Sequence, residues 1–87
     1  MEVIGFRQLN KKDVPLRYRN EFSGLAVFKT DSEKTIEKKV TFVLERMANG
    51  KRDVTIDIQD DIDYPLLPIV KNLKSYILDL DEKGQLP

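Results

Sequence analysis

The chain has 87 residues, 40% apolar and 34% charged, with 15 Lys/Arg balanced by 15 Asp/Glu. That length fits one domain whose folding buries roughly 60–65% of the unfolded surface, and the composition fits an ordinary soluble domain rather than a disordered chain. Cysteine and histidine are both absent, which excludes disulfides, thiol catalysis, imidazole acid–base chemistry and ordinary zinc sites. No apolar run approaches the roughly 20 residues that span a bilayer, and no signal-peptide core follows Met1. A cytoplasmic protein without a membrane partner is therefore expected.

Charge is unevenly divided. Residues 1–52 hold 12 Lys/Arg and 7 Asp/Glu, whereas residues 53–87 hold 3 and 8. Such polarity either steers a charged partner to one end or draws the two halves together within the fold. The second use is the expected one.

Val3–Leu9 reads as a first strand, with Ile4 and Phe6 on one face. A polar turn at Asn10–Asp13 follows, and Val14–Arg19 reads as a second strand that Pro15 confines to an edge, with Leu16 and Tyr18 on one side. Arg7, Lys11, Lys12, Arg17 and Arg19, with Tyr18 among them, would make a basic hairpin able to grip phosphates and stack a base. The simpler reading is a solvated edge whose cations deter strand-to-strand aggregation. Ser23-Gly24 separates this hairpin from Leu25–Lys29, which is apolar on both faces and so central or covered.

A first helix is predicted after Thr30. Thr30 and Glu33 have capping-box spacing, Ile36, Val40, Val43, Leu44 and Met47 form one apolar stripe, and Asn49-Gly50 supplies a left-handed helix end. Phe42 does not fit, because at about 100° per residue it falls on the far side of that stripe.

Asp53–Val70 is the organising stretch. Val54, Ile56 and Ile58 alternate with Thr55 and Asp57 as a half-buried strand. Asp57, Asp60, Asp61 and Asp63 then place four carboxylates within seven residues. They could ligate a hard cation, but a solvated acidic loop ahead of a helix N-terminus is the simpler reading, and no metal or cofactor is assigned. Pro65 and Pro68 mark a first helical turn, with the helix secure from Ile69 because Leu67 precedes a proline. Its face is Leu66, Ile69, Val70, Leu73, Ile77 and Leu80, and Gly84 ends it. Asp79, Asp81 and Glu82 oppose the dipole at that end, which either frays or meets basic side chains from the N-terminal half.

If Leu25–Lys29 and the Val54 strand share a sheet, the helix between them makes a right-handed crossover. The expected fold is α+β: a small two-layer sandwich with a mixed three- to four-stranded sheet and two helices on one face, in the order β-β-(β)-α-β-α. The strand, acidic turn and helix in this order resemble the small regulatory domains of the STAS type at the level of fold, without the serine expected after that strand. Phe42, Leu67 and Leu78 cannot all enter one two-layer core and are expected to contact a partner. The expected function is a non-catalytic protein-interaction or regulatory module that binds a protein partner or itself as a homo-oligomer. Nucleic-acid binding through the basic hairpin is the second reading.

Overall fold

The computed structural model describes residues 1–15 and 17–87. Four strands, β1 (Glu2–Lys12), β2 (Arg19–Lys29), β3 (Thr35–Arg46) and β4 (Arg52–Ile58), precede one helix, α1 (Leu66–Glu82). The strands form an antiparallel sheet in the order β1-β2-β3-β4, and α1 packs on it against β1 and β4. The fold is a small α+β unit with a meander sheet and a C-terminal helix. Every strand pairs with its neighbour in sequence, so the mixed sheet, the crossover and the second helix are corrected. The STAS resemblance extends only to the succession of β4 and α1.

The segment read as a first helix is β3, and the reason lies in its side chains. Val40, Phe42 and Leu44 are buried while Thr41, Val43 and Glu45 are half-buried on the other face. Two periods compete in this stretch, and the helical stripe fits all its apolar residues except Phe42. The period of two admits Phe42 and leaves only Val43 on the open side. The β-branched residues Thr35, Ile36, Val40, Thr41 and Val43 also favour a strand. Burial of the ring decides the contest.

The supposed helix caps are hairpin turns. Around the β2–β3 turn, the Thr30 N–H donates to the Lys34 carbonyl at 2.8 Å and the Glu33 N–H to the Thr30 carbonyl at 2.9 Å. The Asn49-Gly50 turn repeats the pattern, with the Met47 N–H donating to the Lys51 carbonyl at 2.7 Å and the Gly50 N–H to the Met47 carbonyl at 3.0 Å. Both are three-residue loops that end on a left-handed residue, Gly50 at φ 85° and Glu33 at φ 64°.

The strand expected at Val14–Arg19 falls mostly in the β1–β2 connection, with only Arg19 inside β2; Leu16 lies outside the described residues. Ser23-Gly24 lies within β2 and separates nothing. β2 is an inner strand, which accounts for its apolar residues on both faces. β1 slips register between Val3 and Gly5 and again between Arg7 and Asn10. The first irregularity puts Val3 and Phe6, rather than Ile4 and Phe6, toward the core, and Ile4 is left 45% exposed. At the second, Gln8 adopts φ 53°, and β1 comes so close to Gly24 that a Cβ there would stand 3.0 Å from Leu9 Cα.

The core gathers between the sheet and α1. The Phe42 ring stacks on Phe22 with centroids 4.8 Å apart and tilts against Phe6 at 5.7 Å. Phe6 in turn meets Tyr76 of α1 at 5.9 Å, so aromatic contacts run from the inner strands to the helix. Ile69, Leu73 and Ile77 complete the seam at intervals of four. α1 begins at Leu66, three residues earlier than the secure start at Ile69, since Pro68 occupies the first turn, where no intrahelical N–H is required. Gly84 at φ 66° ends it. The Gln85 N–H donates to the Leu80 carbonyl at 2.9 Å and the Gly84 N–H to the Asp81 carbonyl at 3.1 Å, which is a Schellman motif.

Two consequences are measurable by chemical denaturation. Phe42→Ala is expected to cost about 3–5 kcal/mol, the range for emptying a buried aromatic site; a loss under about 1 kcal/mol would place the ring outside the core. Glu33→Gly is expected to raise stability by about 0.5–1 kcal/mol and Gly50→Ala to lower it by about 1 kcal/mol, because both positions require positive φ.

Candidate functional site

The six residues of the expected basic hairpin divide into two groups. Arg7 sits mid-strand on the open face of the sheet, where its Nη1 is 2.7 Å from Glu37 Oε2. Arg19 lies 3.5 Å from both Glu21 and Glu45. Neither is free to hold phosphate without giving up a carboxylate. Lys11, Lys12 and Arg17 have no ion pair among the described residues, and together with Asp13, Val14 and Asn20 they line a shallow recess beside the β1–β2 connection. Tyr18 is 53% exposed next to it. Those four residues form a basic surface at one end of the sheet.

At that same end, residues of the basic half hold the acidic helix terminus. Arg46 Nη2 lies 2.6 Å from Asp81 Oδ1, Arg52 Nη1 2.9 Å from Asp81 Oδ2, and Arg52 Nη2 2.9 Å from Glu82 Oε1. Arg52 also donates to the Leu78 carbonyl at 3.4 Å. The Asp81 side chain is only 11% exposed, and its hydrogen bond from Arg46, followed by that from Arg52, holds its carboxyl below the ordinary carboxylate value against the opposing effect of burial. The Arg52 guanidinium is raised in turn by its hydrogen bonds to Asp81 and Glu82. Lys83, at 2.8 Å from Asp79, is raised by that partner. The charge asymmetry of the sequence is thus used partly inside the fold.

The acidic stretch after β4 is spread out. Asp60 Oδ2 accepts the Lys39 N–H at 2.6 Å, next to the bond from the Gln59 N–H to the Lys39 carbonyl at 2.8 Å, so this carboxylate extends the β3–β4 ladder. Among the described residues no three acidic side chains gather closely enough to hold a metal ion.

The proposed partner contacts separate completely. Phe42 is 1% exposed, so it is a core residue with no face to offer a partner; it failed the helical stripe because the segment is a strand. Leu78 is half-buried and packs on the core cluster of Phe22, Phe42, Leu44, Val54 and Ile77. Leu67 is 77% exposed and its neighbour Leu66 56%. Leu66 and Val70 of α1 face Ile56 and Ile58 of β4 and Ile62 of the connection across a groove of about 420 Å³, with Asp57, Asp60 and Asp61 along its acidic side. The sequence carried a signal for this groove in the row of Ile56, Ile58 and Ile62, but its outer wall depended on α1 starting at Leu66.

Residues 1–82 match the model of one protein family, which is known by a locus label alone. The chain belongs to that family. The family's description names no activity, ligand or partner, and no curated protein and no solved structure matches the chain. Among the described residues of this family member, no helix is long and apolar enough to cross a membrane.

The Asp81 clamp gives a pH dependence of known sign. A carboxyl lowered in the folded state adds stability above its unfolded value, about 3.9, and that stability is lost as pH falls through the folded value. Asp81→Asn is expected to lower stability at neutral pH by about 1–2 kcal/mol and to flatten the acid limb of the stability profile below about pH 4. An unchanged acid limb would show that the clamp is solvated and weak.

Proposed function

We propose that this chain is a small cytoplasmic protein-interaction module without catalytic activity, which docks its partner in the groove between β4 and the start of α1. The observation that carries this reading is the pair Leu66 and Leu67, 56% and 77% exposed, at the rim of a groove floored by isoleucines. Full burial of a leucine yields roughly 1.5–3 kcal/mol, so a partner that covers both gains substantially. A second reading, nucleic-acid binding, is supported by Lys11, Lys12 and Arg17 beside the exposed Tyr18 ring. The overall pI of about 6.2 and the acidic groove weigh against it.

Selection from a random peptide library followed by NMR titration tests the first reading. Selected peptides are expected to shift Ile56, Ile58, Ile62 and Val70, and Leu66→Asp with Leu67→Asp is expected to weaken binding at least about tenfold, the equivalent of 1.4 kcal/mol, without changing the fold. Peptides that perturb only other surfaces would contradict it. Salt-sensitive DNA or RNA binding abolished by Lys11→Glu with Lys12→Glu would favour the second reading.

A further inference from the structure

The two edges of the sheet are treated differently. β1 is broken by two register slips, and α1 reaches over to satisfy its outer backbone: Asn72 Oδ1 accepts the Val3 N–H at 3.1 Å, and the Tyr76 hydroxyl donates to the Ile4 carbonyl at 3.3 Å. These are devices that disarm an edge. β4 has none of them. Its pairing with β3 runs without a slip from Arg52 to Ile58, and it contains no proline or lysine.

The ladder parity identifies the free groups. The bonds joining Met47 with Lys51 and Lys39 with Gln59 flank the β3–β4 pair, so the odd-numbered residues between them exchange hydrogen bonds with β3. Val54, Ile56 and Ile58 therefore direct their N–H and C=O groups outward, and among the described residues nothing bonds to them. Their side chains point to the helix-covered face, with Ile56 and Ile58 in the groove described above.

We infer that this edge pairs with β4 of a second copy of the chain, antiparallel about Ile56, so that two four-stranded sheets join into one. This rests on the reading of the groove as a docking site and names its occupant. Charge selects the partner and the register. The strip runs from basic Lys51 and Arg52 to acidic Asp57, Asp60 and Asp61, a polarity that complements itself only when the second strip is reversed. With Ile56 on the two-fold axis, Val54 faces Ile58, Thr55 faces Asp57, and Lys51 of each copy stands opposite Asp61 of the other. Centring on Thr55 would oppose Asp53 to Asp57 twice, and centring on Val54 would carry Ile58 onto the Gly50 turn. An isologous contact of this kind closes as a dimer and leaves no further edge of the same type.

Sedimentation across a concentration series tests the inference, with hydrogen exchange as a second readout. The 10.1 kDa chain is expected to double in mass, with slowed exchange at the Val54, Ile56 and Ile58 amides in the dimer. Lys51→Glu or Asp61→Lys alone is expected to weaken the dimer at least about tenfold at low salt, and the double reversal to restore it to within about twofold. A chain that stays monomeric at all concentrations overturns the inference, as does a dimer indifferent to either single reversal. A monomer that still takes selected peptides in the groove removes the second copy as occupant while the docking reading stands; a monomer that takes none removes both.

Discussion

One constraint governs this molecule: a sheet of four strands has a single helix to cover it. Only one face can be dry, so every strand must sort its large apolar side chains to that face, and Phe42 stands at the centre of the result. Its ring is 1% exposed, stacked on Phe22 and tilted against Phe6, which links it to Tyr76 of α1. Moving Phe42 to the open face would turn β3 over, since a one-residue slip of a strand inverts all its side chains. The strands on either side of β3 would lose their common surface with it.

The second organising force is charge. The sheet supplies Arg46 and Arg52 at the end where α1 terminates in Asp81 and Glu82. Carboxylates at a helix C-terminus are disfavoured by the backbone dipole, and two guanidiniums offset that cost with charge-assisted hydrogen bonds. The Schellman turn at Gly84 and the packing of Leu86 on the core fix the same end. What the charge network leaves over is the recess of Lys11, Lys12 and Arg17 at one end and the acidic groove beside β4 at the other.

Part of this was legible in the sequence. β4, the body and end of α1, the inner position of Leu25–Lys29 and the meeting of the acidic helix end with the basic half all follow from alternation, capping and charge. β3 was not legible by those means, because Ile36, Val40, Val43, Leu44 and Met47 satisfy a helical period and Thr30, Glu33 and Asn49-Gly50 imitate its caps. The discordant residue, Phe42, held the answer: it fitted the other period. The site suffered from the same error. Assigning Phe42 to a partner surface followed from the wrong period, whereas Leu67 was correctly left outside the core. The distinction between a disarmed β1 edge and an open β4 edge was beyond the sequence, since it rests on where Asn72 and Tyr76 land and on register slips that no periodicity announces.

Both the core and the open edge require Thr35–Arg46 to be an inner strand of the meander, and NMR cross-strand contacts test that most directly. Pairs that do not exchange hydrogen bonds bring their Hα atoms close together. Strong Hα–Hα cross-peaks are therefore predicted between Ser23 and Thr41, Leu25 and Lys39, and Phe42 and Ile56, all opposed in the sheet. Contacts between residues three apart along 35–46, with those cross-peaks missing, would mean that the segment is helical after all and would contradict the fold, the burial of Phe42 and the open edge together.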